Sequence, residues 1–142
     1  MRLLYSWAIG RDMLAHNPCQ GVAKIHKTKE GYRAWSQEEV GRFLEVCSED
    51  EWLTFSFALY TAQRPGDLIN LTWFQVRDGT IRLRQSKTGE DMVIGIHPTL
   101  QAALDACPVR DGHILRKPLG GAYTNSNELS RTWWRWMKRH GL

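Results

Sequence analysis

Leu59-Tyr-Thr-Ala-Gln-Arg64-Pro-Gly-Asp67-Leu-Ile-Asn-Leu71-Thr-Trp73 is the stretch that decides how the chain is read. It spells an apolar helix that stops on an arginine, a proline, and a second short apolar turn. Because Arg64 precedes Pro65, its backbone is pushed out of helical geometry. A guanidinium is thereby set at a fixed corner, where it suits a planar, bidentate anion such as a phosphodiester. Taken alone, the pattern equally describes a helix end that carries a surface arginine.

A second element lies downstream, in Arg84-Gln-Ser-Lys87-Thr-Gly-Glu90. Here a lysine is expected at the tip of a hairpin. On its N-terminal side, Phe74-Gln-Val-Arg77 and Thr80-Ile-Arg-Leu-Arg84 read as two strands around a tight Asp78-Gly79 turn. Met92, Ile94 and Ile96 alternate as a third strand.

Together these elements resemble the tyrosine recombinase (phage integrase) family. That family places its first catalytic arginine in a Thr-Gly-x-Arg-x-x-Glu pattern after a buried helix, and its catalytic lysine in a β-turn, often within Lys-Thr-Gly. Thr61, Arg64 and Asp67 occupy the corresponding positions, as does Lys87-Thr88-Gly89. Ala62 stands where the family usually has glycine, and Asp67 where it has glutamate. The expected fold is α+β, mainly helical with a small three-stranded antiparallel sheet, as in a truncated recombinase catalytic domain.

Helix signals run along the rest of the chain. Leu3, Leu4, Trp7, Ala8, Leu14 and Ala15 suggest a helix over residues 2–15, closed by Asn17-Pro18. Ser36-Gln-Glu-Glu39 fits a capping box, and Val40, Phe43, Leu44 and Cys47 form the apolar face behind it. Acids at 49–51 open the next helix, whose apolar run from Trp52 to Ala62 should be central and buried. Pro98 opens another helix, with Leu100, Ala103, Leu104 and Cys107 on one face. Asn125 caps the last helix. Leu129, Trp133, Trp136 and Met137 share one of its sides, and Arg131, Arg135, Lys138 and Arg139 the other. Gly141 ends it.

The resemblance divides the chain into three parts. Residues 1–19 would be the last helix of a core-binding, DNA-clamping domain. Residues 20–34 would be a basic interdomain linker, and residues 35–142 the N-terminal portion of the catalytic domain. The linker carries Lys24, Lys27, Lys29 and Arg33 against Glu30. It is either a solvated tether or a strap that neutralises successive phosphates. The basic face of the last helix is likewise either a solvated surface or a DNA-facing one.

Composition sets limits. The 142 residues are 42% hydrophobic and 11% aromatic, with seven Trp, which argues against disorder. A net charge of +4 leans modestly toward polyanionic partners. Cys19, Cys47 and Cys107 are widely spaced and odd in number, which suggests reduced thiols in a cytoplasmic protein. The scattered His residues make no metal pattern, and no apolar run is long enough to span a bilayer. Residues 1–10 faintly suggest a signal peptide, but Arg11-Asp12 interrupts it and no small-residue cleavage site follows.

The resemblance implies double-stranded DNA as substrate, no metal or cofactor, and a homo-oligomer such as the family's tetramer. It implies DNA integration and recombination in a mobile element, by tyrosine attack on a phosphate and a 3′-phosphotyrosyl intermediate. Arg64 would clamp the phosphate, Lys87 would protonate the leaving 5′-oxygen, and Asp67 would orient or pair with Arg64, or else cap a helix. Arg84 and Thr88, with Lys24, Lys27, Lys29, Arg33, Arg131 and Arg135, would contact DNA. The family's His-x-x-Arg motif and nucleophilic tyrosine lie beyond its counterpart of the Trp-rich helix. None of Tyr5, Tyr32, Tyr60 and Tyr123 takes the nucleophile's position, so these residues alone are expected not to cleave DNA. A non-catalytic DNA-binding remnant and a protein-interaction domain with a sticky Trp-rich helix are the alternatives. Type IB topoisomerases share the family's fold and chemistry, and the linker and short hairpin look more integrase-like.

Overall fold

The computed structural model describes residues 1–23 and 33–142. They fall into two compact units, Met1–Ala34 and Trp35–Leu142.

Among its described residues the first unit holds one helix, α1 (Arg2–Ile9), with no buried residue. The helix is shorter than the expected 2–15. Gly10 ends it, Asp12 adopts a left-handed φ of 56°, and Leu14 and Ala15 lie in irregular chain. Glycine's low helix propensity and an aspartate in the left-handed region outweigh the apolar spacing. Asn17 then braces the unit through its amide, which donates to the Arg2 carbonyl and the Ser6 hydroxyl.

In the second unit, α2 (Gln37–Val46) and α3 (Glu49–Thr61) each begin with a complete capping box. Ser36 accepts from the Glu39 amide while Glu39 accepts from the Ser36 amide; Ser48 and Glu51 do the same for α3. Each box satisfies two backbone donors that a helix start leaves unpaired. The box at Ser48 adds to the first-turn acids Glu49, Asp50 and Glu51.

Phe43 of α2 is fully buried and meets Phe55, Trp133 and Trp136 at 4.6, 5.8 and 5.3 Å between ring centroids. Leu44, expected on the same face, is exposed. Helix α3 buries Leu53 and Phe57 but leaves Leu59 exposed, so it is central on one side rather than all round.

The sheet has the order β1-β2-β3, all antiparallel, with β1 (Val76–Arg77), β2 (Thr80–Arg84) and β3 (Asp91–Gly95). The first strand is shorter than expected because Trp73–Gln75 form a 3₁₀ turn, capped by Thr72 and Gln75. Asp78 and Gly79 both have positive φ, 51° and 67°, as a two-residue type I′ hairpin requires. Ile81 pairs with Ile94 and Leu83 with Met92, which places Ile81 and Leu83 in the core.

Helix α5 (Pro98–Asp105) packs on α3 and buries Leu100, Ala103 and Leu104. Helix α6 (Ser126–His140) is capped by the Asn125 side chain, which accepts from the Glu128 amide, and closes on a left-handed Gly141. It buries Leu129 and Trp136 and half-buries Trp133, while Arg131, Arg135, Lys138 and Arg139 face solvent. Trp134 stays exposed. No described helix is long and apolar enough to cross a membrane.

Candidate nucleic-acid interface

Arg64 stands at a sharp change of direction. Helix α3 ends because Ala62 turns left-handed, with φ 51° and ψ 25°. Only glycine adopts that conformation without a Cβ clash, which is the physical reason for glycine at this position in the Thr-Gly-x-Arg pattern. Two residues on, Arg64 is extended, with φ −66° and ψ 147°, and serves as the N-cap residue of α4 (Pro65–Leu68). Pro65 takes the first helical position, where its missing N–H leaves nothing unpaired. The guanidinium is exposed.

Lys87 stands at the tip of the β2–β3 hairpin and is exposed. The turn closes through its backbone: Gly89 donates to the Gln85 carbonyl at 2.8 Å, and Gln85 donates to the Glu90 carbonyl at 2.9 Å. Gly89 has a φ of 73°, so a side chain there would be strained. Arg84 donates its Nε to the Gly89 carbonyl at 2.9 Å and braces the same turn. The Thr88 hydroxyl donates to Gln85 Oε1 at 3.0 Å.

The two segments meet side by side. Arg64 Nη1 donates to Gln85 Oε1 at 3.3 Å, and Gln85 Nε2 donates to Gln63 Oε1 at 2.9 Å. Asp67 is buried, and its Oδ1 accepts from both the amide (2.9 Å) and the hydroxyl (2.7 Å) of Ser86. The Ser86 hydroxyl is the main cause of a lowered Asp67 pKa; the Ser86 amide and the Arg64 charge add to it, and burial opposes it. The other carboxylate oxygen, Oδ2, is buried without a hydrogen-bond partner.

Asp67 is therefore not a helix cap. It sits inside α4, and its acceptor capacity goes to the hairpin. Nor does it form an ion pair with Arg64 among the described residues; Arg64 acts on it as a nearby charge. The contacts of Ser86 with Asp67 and of Gln85 with Gln63 span 19 and 22 positions, so no local pattern announces them.

The other expected contact residues are spread out. Arg131 and Arg135 are exposed on α6, which packs against α4. Arg33 lies in the first unit, with Nη1 on the Ala34 carbonyl. Lys24, Lys27 and Lys29 lie outside the described residues.

Two described tyrosines of the second unit are engaged elsewhere. Tyr60 stacks on His97 with centroids 4.2 Å apart and planes 5° off parallel. Tyr123 is buried, and desolvation, reinforced by the charge of Glu128, raises its pKa. A His-x-x-Arg spacing occurs at His113-Ile-Leu-Arg116. His113 bridges Thr72 through the backbone, and Arg116 turns to the carbonyls of Asp111 and His113 in its own loop.

No family model matches the chain. The ICEBs1 integrase of Bacillus subtilis (strain 168) is 27% identical over 73 residues, 49% of this chain and 20% of that protein. The integrase of Escherichia phage HK022 is 28% identical over 97 residues, 67% of this chain and 27% of that protein. A lambda integrase tetramer crystallised on a Holliday junction matches with a TM-score of 0.73 at 23% identity, over 99% of this chain and 45% of that one. The chain thus spans 20% and 27% of these two curated relatives. Its fold is that of part of lambda integrase, and its likeness is to part of a tyrosine recombinase of the phage integrase kind.

Proposed function

We propose that this chain is part of a tyrosine recombinase that acts in DNA integration and site-specific recombination, and that Arg64 and Lys87 flank the scissile phosphate. The observation that carries this reading is the joining of residues 63–67 to residues 85–89 by side-chain hydrogen bonds. A guanidinium and an ammonium are both exposed on the two joined segments.

The chemistry follows from those groups. Attack on a phosphodiester builds negative charge on its non-bridging oxygens, which Arg64 is suited to hold bidentately. Loss of such a clamp costs about 2.7–4 kcal/mol in the barrier, by analogy with oxyanion donors. Lys87, on a short turn, supplies a proton to the departing 5′-oxygen. Asp67 orients the pair by fixing the hairpin against α4. Contacts with the duplex are assigned to Arg84, Thr88, Arg131 and Arg135 of the second unit and, separately, to Lys24, Lys27, Lys29 and Arg33 of the linker. Double-stranded DNA in the cytoplasm, as part of a mobile element, is the substrate, and several copies of the whole protein assemble on it.

These 142 residues alone bind DNA without cutting it. Tyr60 is stacked and Tyr123 has a raised pKa, the opposite of what an activated nucleophile needs. The test is a nicked duplex that traps covalent intermediates. Binding without a covalent adduct is expected. An adduct would overturn the non-cleaving part of the reading, and absence of binding at low salt would overturn the whole.

A further inference from the structure

We infer that Gln85 is a positioning residue that sets Arg64 and the Lys87 turn as one unit, an inference that rests on Arg64 being a phosphate clamp. The carbonyl oxygen of an amide offers two lone pairs. In Gln85 both are used: Oε1 accepts from Arg64 Nη1 at 3.3 Å and from the Thr88 hydroxyl at 3.0 Å. The amide nitrogen donates to Gln63 Oε1 at 2.9 Å, which fixes the end of the amide that faces Arg64. Gln63 is held in turn, since its Nε2 donates to the Thr61 carbonyl at 3.0 Å. The backbone of Gln85 closes the hairpin on both sides, through Gly89 and Glu90. A single half-buried side chain thus touches the end of α3, the guanidinium and the turn that carries Lys87.

The residue type fits the task. A carboxylate at this position would accept the same hydrogen bonds but would neutralise Arg64 and compete with a phosphate for it. A neutral amide holds the guanidinium and leaves its charge for the ligand. Among the described residues only one of the five guanidinium donors is engaged, by Gln85, which leaves the others to meet an anion. Preorganisation of this kind lowers the ordering that binding would otherwise require.

The inference is tested on the 142-residue chain with two readouts. The first is the ¹⁵N NMR signal of the Arg64 guanidinium, assigned by its loss in Arg64→Lys. In Gln85→Met that signal should collapse through free rotation, and Gln85→Glu should restore it. Gln63→Met, which leaves the hairpin untouched, should broaden it too, and it serves if Gln85→Met does not fold. An Arg64 signal unchanged in the folded Met variants would overturn the inference.

The second readout is affinity for a duplex oligonucleotide. Gln85→Met should weaken it about two- to tenfold, the range of one ordinary hydrogen bond. In an Arg64→Gln background the same change should have a clearly smaller effect, limited to what the Lys87 turn contributes, because coupled residues are non-additive. Gln85→Glu should bind DNA more weakly than wild type although its guanidinium signal is restored. Equal weakening in both backgrounds would overturn the inference while leaving the clamp reading intact. A wild-type chain that binds no duplex would overturn the clamp reading, and the NMR signal would still decide whether Gln85 holds Arg64.

Discussion

Asp67 Oδ1 accepts both the backbone N–H and the hydroxyl of Ser86, at 2.9 and 2.7 Å, and so pins the Lys87 hairpin to the short helix behind Arg64. Hydrogen bonds to a charged group contribute about 1.5–3 kcal/mol each. Asp67→Ala should therefore destabilise the fold by about 2 kcal/mol or more, since Ser86 also loses its partner. Asp67→Asn should cost less, because its amide oxygen accepts the same bonds. Urea unfolding of the three proteins checks the order; equal midpoints would contradict it.

The same carboxylate gives the fold an acid limit. Its folded pKa lies below the ordinary value, led by the Ser86 hydroxyl. The unfolded chain takes up a proton near pH 4, whereas the folded chain resists it. The stability from Asp67 is thus fully present above the unfolded pKa and is lost as pH falls through the lowered folded value. In Asp67→Asn this part of the acid slope should vanish. Unfolding free energies measured between pH 6 and pH 2 should converge for the two proteins; a constant gap would contradict the assignment.

Ala62 carries a backbone conformation that suits glycine, with φ at 51°. The left-handed region costs a side-chain-bearing residue about 1–2 kcal/mol, and glycine's extra freedom when unfolded offsets part of that. Ala62→Gly should raise stability by about 0.5–1 kcal/mol, seen as a higher melting temperature. A lower melting temperature would mean that the turn is not strained.

Helix α3 begins on a reciprocal pair, with Ser48 accepting the Glu51 amide and Glu51 the Ser48 amide. Ser48→Ala should destabilise the fold by about 1 kcal/mol. Because α3 carries Leu53 and Phe57 into the core and ends just ahead of Arg64, the loss should appear in global unfolding. Hydrogen exchange that sped up only at residues 48–52 would contradict that expectation.

Much of this was legible in the sequence because local rules govern it. Caps at Ser36 and Asn125, the break before Pro65, the Asp78-Gly79 turn and the two faces of α6 each follow from neighbours within four positions. The contacts that build the site do not. Gln85 and Ser86 read as ordinary polar hairpin residues until the fold brings them to Arg64 and Asp67. Local spacing puts Leu44 on the apolar face of α2, yet it is exposed among the described residues. Helix α1 stops at Ile9 because Gly10 and a left-handed Asp12 outweigh the spacing of Leu14 and Ala15. Ala62 signals its left-handed turn only through comparison with the glycine of the recombinase pattern.

The central claim is that Arg64 meets a DNA phosphate, and the most direct measurement is duplex affinity as a function of salt for the wild type and Arg64→Gln. Log K should fall linearly with log salt, by about 0.9 for each phosphate neutralised. The variant should bind more weakly with a slope shallower by about one phosphate. Equal slopes and affinities, or no binding by either protein at low salt, would contradict the account.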